Sequence, residues 1–352
     1  MRVLHDALTA SIEEALQGSE DLDDEALAGF VEHMIKEASP AIEQGVRASL
    51  VREAPRMLKE HRSAESSFRK RNLARWKPAL DLLEIIWRIS CEFSESYAND
   101  RNERAHTESD YKHFALIELH TKSLLVTREI IALLECGYPD GALARWRTLH
   151  ELSVVGSFIQ QGDQDLAYRY LVSFDFAAQK AARQYEEYAH RAGLGPFGDE
   201  EMEALDQRCA ELTRKLDDAP FKNDYDWARI IIDKPRPNLL DLEKATGLDH
   251  WRPRFRWASQ HNHAGRRPAD RFLGLAESEN SYFLVGPSNS GFVDPLHMTA
   301  ISLNTSTSSL ILNDPNFDSN IVMNILHSFS DELGSIAVKE ESETYRQAKN
   351  TE

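Results

Sequence analysis

The chain is poor in the features that assign a function fastest. It has three cysteines in 352 residues, Cys91, Cys136 and Cys209. They are far apart and lack metal-ligand spacing, which excludes a disulfide framework or a zinc ribbon. They read as reduced thiols of a cytoplasmic protein. No run of about eighteen apolar residues occurs, so no membrane-spanning helix is expected. The opening Met1-Arg2-Val3-Leu4-His5-Asp6 lacks the apolar core of a signal peptide. Positive charge is scarce: 41 Lys and Arg stand against 58 Asp and Glu, a net charge of -17. Affinity for nucleic-acid phosphates grows with neutralising cations, so a general nucleic-acid-coating protein is disfavoured, while one local anion site is not.

Catalytic signatures are equally sparse. Gly193-Leu194-Gly195 lacks the rest of a dinucleotide fingerprint, and no Lys-Ser/Thr follows Gly286 or Gly291 to make a phosphate loop. A Gly-x-Ser-x-Gly nucleophile elbow is missing. His150-Glu151 is not part of His-Glu-x-x-His, and His261 and His263 have no cysteine pair beside them. No metal and no cofactor is expected.

What is present is helical periodicity. Leu4, Leu8, Ile12 and Leu16 recur in steps of four, and Asp23-Asp24-Glu25 makes an acidic first turn for the next helix. Gly18, Pro40, Gly45 and Pro55 break this region into short helices. Residues 63–98 read as one long helix, and 99–112 as a polar loop or a frayed end followed by a new cap. Further helices are expected over 112–136, 140–161, 164–192, 199–217, 238–246, 293–313 and 316–348, and a hairpin or loop over 281–292. The fold class is all-α: a multi-helix bundle with an N-terminal helical subdomain and at most one short β-hairpin. Residues 1–62 form that arm, 63–340 the main domain and 341–352 a frayed charged tail.

Two places concentrate polar chemistry. The helix over 140–161 is apolar around most of its girth, yet Arg147 and Glu151 sit four apart on one face. Buried, they must pair with each other or line a polar cavity, because stranding one charge of such a pair costs about 3–5 kcal/mol. The second place is Trp251 to Arg267, where five arginines, two histidines and two tryptophans fall within seventeen residues. A helix begun by Pro253 and closed by Gly265 would project Arg256, Ser259 and His263 from one face. The competing reading is a structural network, with arginines stacked on Trp251 and Trp257 and His263 bound to a backbone carbonyl.

The Gly137-Tyr138-Pro139-Asp140-Gly141 turn leading into Arg147-x-x-x-Glu151 resembles a motif of the bacterial domain-of-unknown-function family number 5677. So does Phe255-Arg256-x-x-Ser259-x-x-x-His263. The resemblance covers roughly 75–300 and implies no activity of its own. A weaker likeness is to the HEPN-type ribonucleases, helical and often dimeric enzymes that carry an arginine and, after four to six intervening residues, a histidine, and need no metal. In them histidine moves the proton of the ribose 2′-hydroxyl and arginine holds the scissile phosphate. The chemistry is sound, since histidine titrates near neutrality and guanidinium grips phosphate with two prongs. That likeness implies a metal-independent endoribonuclease, a toxin or antiviral effector. Arg256 and His263 would be catalytic, with Arg147, Glu151, Ser259, His261 and Asn262 orienting or anchoring. Arg101, Asn102 and His106 form a second candidate site, with four residues between its arginine and histidine against six between Arg256 and His263. It also implies RNA or a nucleotide as ligand, a homodimer, and a protein partner encoded in the same operon. The alternative is a non-catalytic helical module that binds a nucleotide or partner protein through the same Arg/His pocket.

Overall fold

A computed structural model of the chain describes Thr9, residues 24–266, Pro268, residues 271–278 and residues 283–349. The side chains of Asp24, Leu27, residues 102–105, Thr107 and residues 344–349 lie outside that description. The described residues form helices and connecting loops, with no strand among them, so the fold is all-α. The helices are α1 (Asp24–Glu108), α2 (Tyr111–Glu135), α3 (Pro139–Gln161), α4 (Gln164–Ala189) and α5 (Asp199–Leu216). They continue with α6 (Leu239–Thr246), α7 (Arg252–Ser259), α8 (Val293–Ile311) and α9 (Phe317–Lys349). By contacts the chain divides into two compact units, Met1–Phe68 and Arg69–Glu352.

The described part of the first unit is helical, and Pro40, Gly45 and Pro55 lie inside α1 instead of breaking it. A proline removes one helical hydrogen bond and crowds the preceding turn. Both prolines are exposed, so water satisfies the freed carbonyls, and strong helix formers such as Ala41, Glu43, Arg56 and Leu58 flank them. The stripe expected over Leu4 to Leu16 lies outside the described residues.

In the second unit, α3 is the central helix. It packs against α2, α6, α7 and α8. Leu143, Trp146, Leu149, Val154 and Ile159 lose essentially all their exposure, and each such aliphatic side chain contributes about 1.5–3 kcal/mol by leaving water. The Trp146 indole donates to the Met298 carbonyl at 2.9 Å and to Ser302 Oγ at 2.9 Å. The partner helix α8 is buried although it is rich in Ser and Thr. Its hydroxyls close on carbonyls one turn back, as in Thr307 to Leu303 at 3.0 Å and Ser309 to Thr305 at 3.0 Å. That satisfies them without water, and the small side chains leave the helix thin enough to pack tightly.

Local chemistry sets most helix ends. Asp110 caps α2 by accepting from the His113 N–H at 3.1 Å. Asn238 and Asp241 form a reciprocal capping box on α6, which Gly247 closes at φ 74°. Three ends differ from expectation. The polar stretch after residue 98 stays helical to Glu108, because a polar segment is compatible with a solvated helix, and the break falls at Ser109, whose φ is 54°. Helix α7 stops at Ser259, six residues before Gly265, as the His261 and Asn262 N–H groups bond three residues back and tighten the chain into turns. Helix α9 runs on to Lys349 through the charged stretch expected to fray, carrying a Lys339–Glu343 pair one turn apart at 3.8 Å. Residues 283–292 are loop, so the described part of the suggested hairpin forms no strand.

That loop is fixed at several points. Arg75 grips Glu277 with two nitrogens, at 2.6 and 3.1 Å, and donates to the Asn289 carbonyl at 2.7 Å. The Trp76 indole donates to the same carbonyl at 2.8 Å, and its ring stacks on Phe292 with centroids 4.9 Å apart.

Candidate functional site

The site is assembled from the start and middle of α3, the end of α6, and α7 with the turn after it. Gly137 takes a φ of 85°, which glycine adopts without strain, and Pro139 opens α3 at a position where its missing N–H is no loss. This places Asp140 at the start of the helix, facing Leu273 and Gly274. Its carboxylate accepts from the Leu273 N–H at 2.9 Å and the Gly274 N–H at 3.0 Å, and His261 Nδ1 lies 3.2 Å from it. A cavity of about 270 Å³ adjoins these groups, lined in part by Tyr138, Phe272, Leu284 and Ser288.

One turn and more along α3, Arg147 Nε donates to Ser259 Oγ at 3.0 Å, and that hydroxyl donates to the Phe255 carbonyl at 2.8 Å. The Arg147 guanidinium lies 4.7 Å from the centre of the Phe255 ring, and that of Arg252 lies 5.0 Å from it. Glu151 accepts a short hydrogen bond from the Tyr225 hydroxyl. Burial, with the Glu151 charge and hydrogen bond behind it, pushes the Tyr225 pKa well above the usual phenol range, so the hydroxyl stays a donor. Arg147 and Glu151 therefore do not pair with each other: each is satisfied by a different segment of the chain.

Beside them His150 and Glu243 are buried, at 2% and 0% exposure. His150 Nε2 lies 3.1 Å from one Glu243 oxygen, and Arg252 donates to the other at 3.1 Å. One carboxylate thus ties α3, α6 and α7 together. Glu243 and Tyr225 carry no motif by which the sequence would disclose them. Arg252 and Asp140 stand inside or beside the two quoted motifs, but nothing in their spacing assigns their partners.

The exposed residues are arranged differently. Arg254 pairs with Asp294 at 2.6 Å and lies 5.9 Å from the Trp257 ring. Arg256, Asn262 and His263 are exposed, and among the described residues neither the Arg256 guanidinium nor the His263 imidazole has a hydrogen-bond or ionic partner. Because α7 ends at Ser259, His263 does not share a helical face with Arg256 and Ser259. Ser259 turns inward to Arg147, and Arg256 points to solvent. The stacking expected on Trp251 and Trp257 falls mainly on Phe255 instead, because that ring is the buried one.

At the second candidate site Arg101 lies in the last turns of α1, not in a loop. It is committed to two carboxylates, Asp110 at 3.1 Å and Asp314 at 2.7 Å. The His106 ring meets Phe114 edge-on at 4.7 Å. The Asn102 side chain lies outside the described residues. Among the described residues no cluster of three or more His, Cys, Asp and Glu has a metal-binding arrangement, and no helix is long and apolar enough to cross a membrane.

The fold and site define an all-α protein in which polar groups on one central helix brace two short helices. Residues 113–282 match the model of a family described as "Family of unknown function (DUF5677)", and over this segment the chain is similar to that family. Both motifs, Gly137 to Glu151 and Phe255 to His263, fall within the match. No curated protein and no solved structure matches the chain.

Proposed function

We propose that the exposed edge of α7 and the turn after it bind single-stranded RNA, with Arg256 on a phosphate and His263 and Asn262 beside it. One observation carries this reading. The charged groups beneath this edge, Arg147, Glu151, Glu243 and Arg252, are held by partners inside the protein, while Arg256 and His263 are presented to solvent and have no hydrogen-bond or ionic partner among the described residues. A guanidinium without an internal partner keeps its full capacity for a two-pronged phosphate contact. The contacts below hold α7 in place, so presenting Arg256 costs little ordering on binding.

Metal-independent cleavage of the bound RNA is the second reading, favoured by the free imidazole of His263. In it His263 takes the 2′-hydroxyl proton as that oxygen attacks the phosphate held by Arg256. The bond from phosphorus to the 5′-oxygen breaks, leaving a 2′,3′-cyclic phosphate, and the departing 5′-oxygen takes a proton from water. Glu151 would not orient that imidazole, because its carboxylate is engaged by Tyr225. On this reading the protein acts as a toxin or antiviral effector, and its expression slows growth.

The test is a fluorescent single-stranded RNA followed by anisotropy and by gel in excess chelator, with Arg256→Ala and His263→Ala. Binding that weakens in both variants supports recognition, and product that disappears in both supports cleavage as well. Binding that is unchanged in both variants overturns the proposal.

A further inference from the structure

A second cleft, of about 680 Å³, opens between α2, α4 and the loop that follows α5. It lies within the usual range of small-molecule sites, about 300–1,000 Å³. It shares no residue with the α7 edge. Its floor is apolar and aromatic: Phe176 and Phe221 meet with ring centroids 4.8 Å apart, and Leu171 lies beside them. Phe174 stands on its rim, 75% exposed. A large aromatic ring held so far into water has surface left to give to a planar partner.

The rim is cationic. Lys122, Lys180 and Lys222 line it, against the carboxylates of Glu118 and Asp224, in a chain whose net charge is -17. Glu118 takes up Lys122 at 2.6 Å. Lys180 reaches only the Lys222 carbonyl, at 3.4 Å, and the Lys222 ammonium has no ionic partner among the described residues. Two ammonium groups are therefore available to an anion at the mouth of an aromatic cleft. The Tyr170 hydroxyl adds a donor, kept protonated by burial and by the nearby Glu118 charge.

We infer that this cleft binds a nucleoside phosphate, with the base against Phe174 and the aromatic floor and the phosphates on Lys180 and Lys222. Aromatic rings and ammonium groups side by side suit a ligand that carries both a flat ring and a compact negative charge. The inference stands apart from the α7 reading.

The test is calorimetric titration of the full chain with ADP, and separately with adenosine and inorganic phosphate. ADP should bind at least about tenfold more tightly than either fragment, and Lys180→Gln combined with Lys222→Gln should weaken it by about tenfold or more, one such factor being the free energy of a modest contact. Phe174→Ala should also weaken ADP, and Arg256→Ala should leave its affinity unchanged. All the altered side chains are at the surface, so an unchanged melting temperature will show that the variants fold. No binding of ADP at millimolar concentration, or equal affinity in the double lysine variant, overturns the inference. Inorganic phosphate binding as tightly as ADP overturns the role of the aromatic floor.

Discussion

Lowering the pH should destabilise the bundle through His120. This imidazole is fully buried between α2 and α8, with Nε2 3.0 Å from Thr307 Oγ1, and Nδ1 has no hydrogen-bond partner among the described residues. Burial pushes its pKa down from the usual 6.5 to about 4. The unfolded chain then binds the proton more readily than the folded one. The stability from keeping His120 neutral is fully present above the unfolded pKa, is lost progressively as pH falls from 6.5, and is exhausted near 4. With one pKa unit equivalent to about 1.4 kcal/mol, the loss on going from pH 7.5 to pH 5 is about 2 kcal/mol. Other histidines and carboxylates titrate in the same interval, so the useful quantity is a difference. His120→Gln removes the titration and keeps an amide able to reach Thr307. Urea unfolding followed by tryptophan fluorescence suits the measurement, because Trp76, Trp87, Trp146, Trp227, Trp251 and Trp257 all belong to the second unit. The wild type should lose about 2 kcal/mol more than the variant between the two pH values. An equal loss in both, or a larger one in the variant, would refute the claim that this imidazole is held neutral.

Glu243→Ala should cost about 3–5 kcal/mol in the same assay, because it strands the Arg252 guanidinium and the His150 imidazole together. Gly291→Ala should destabilise by more than about 1 kcal/mol, since Gly291 has a φ of 75° and an added Cβ would stand 2.2 Å from the Leu273 carbonyl oxygen. A melting temperature equal to wild type would contradict that crowding. Arg256→Ala should change stability by no more than about 0.5 kcal/mol, as expected of an exposed side chain without partners among the described residues, while weakening RNA binding in the anisotropy assay.

Helix boundaries that rest on one or two residues are legible in the sequence. Gly137 with Pro139 ends one helix and starts the next, and Asn238 with Asp241 begins α6. Boundaries that rest on polarity or on a single breaker are not. The polar run from Asn99 to Glu108 stays helical, and Pro40 and Pro55 are tolerated where water reaches the freed carbonyls. Gly265 does not end α7, because the chain has already turned at Ser259, where a side-chain hydroxyl is needed by Arg147 on another helix. A tertiary hydrogen bond of that kind leaves no periodic trace.

The same distinction governs the site. A polar pair in an apolar helix implies that Arg147 and Glu151 have partners, and they do. Spacing along one helix suggests that the partners are each other, but the geometry sends them to Ser259 and Tyr225. Helical neighbours at i and i+4 gain only about 0.2–0.5 kcal/mol from pairing in water. A half-buried guanidinium or carboxylate gains more from a fixed hydroxyl that also ties down another segment, since satisfying a buried polar group avoids a cost of about 1–3 kcal/mol. The charges of α3 are therefore spent on holding α7 and the Tyr225 loop, and an arginine held in this way is poorly placed to follow a ligand. In the two binding proposals, recognition falls to groups that bracing leaves over. On α7 and its turn these are Arg256 and His263, and at the α4 cleft they are Lys180 and Lys222.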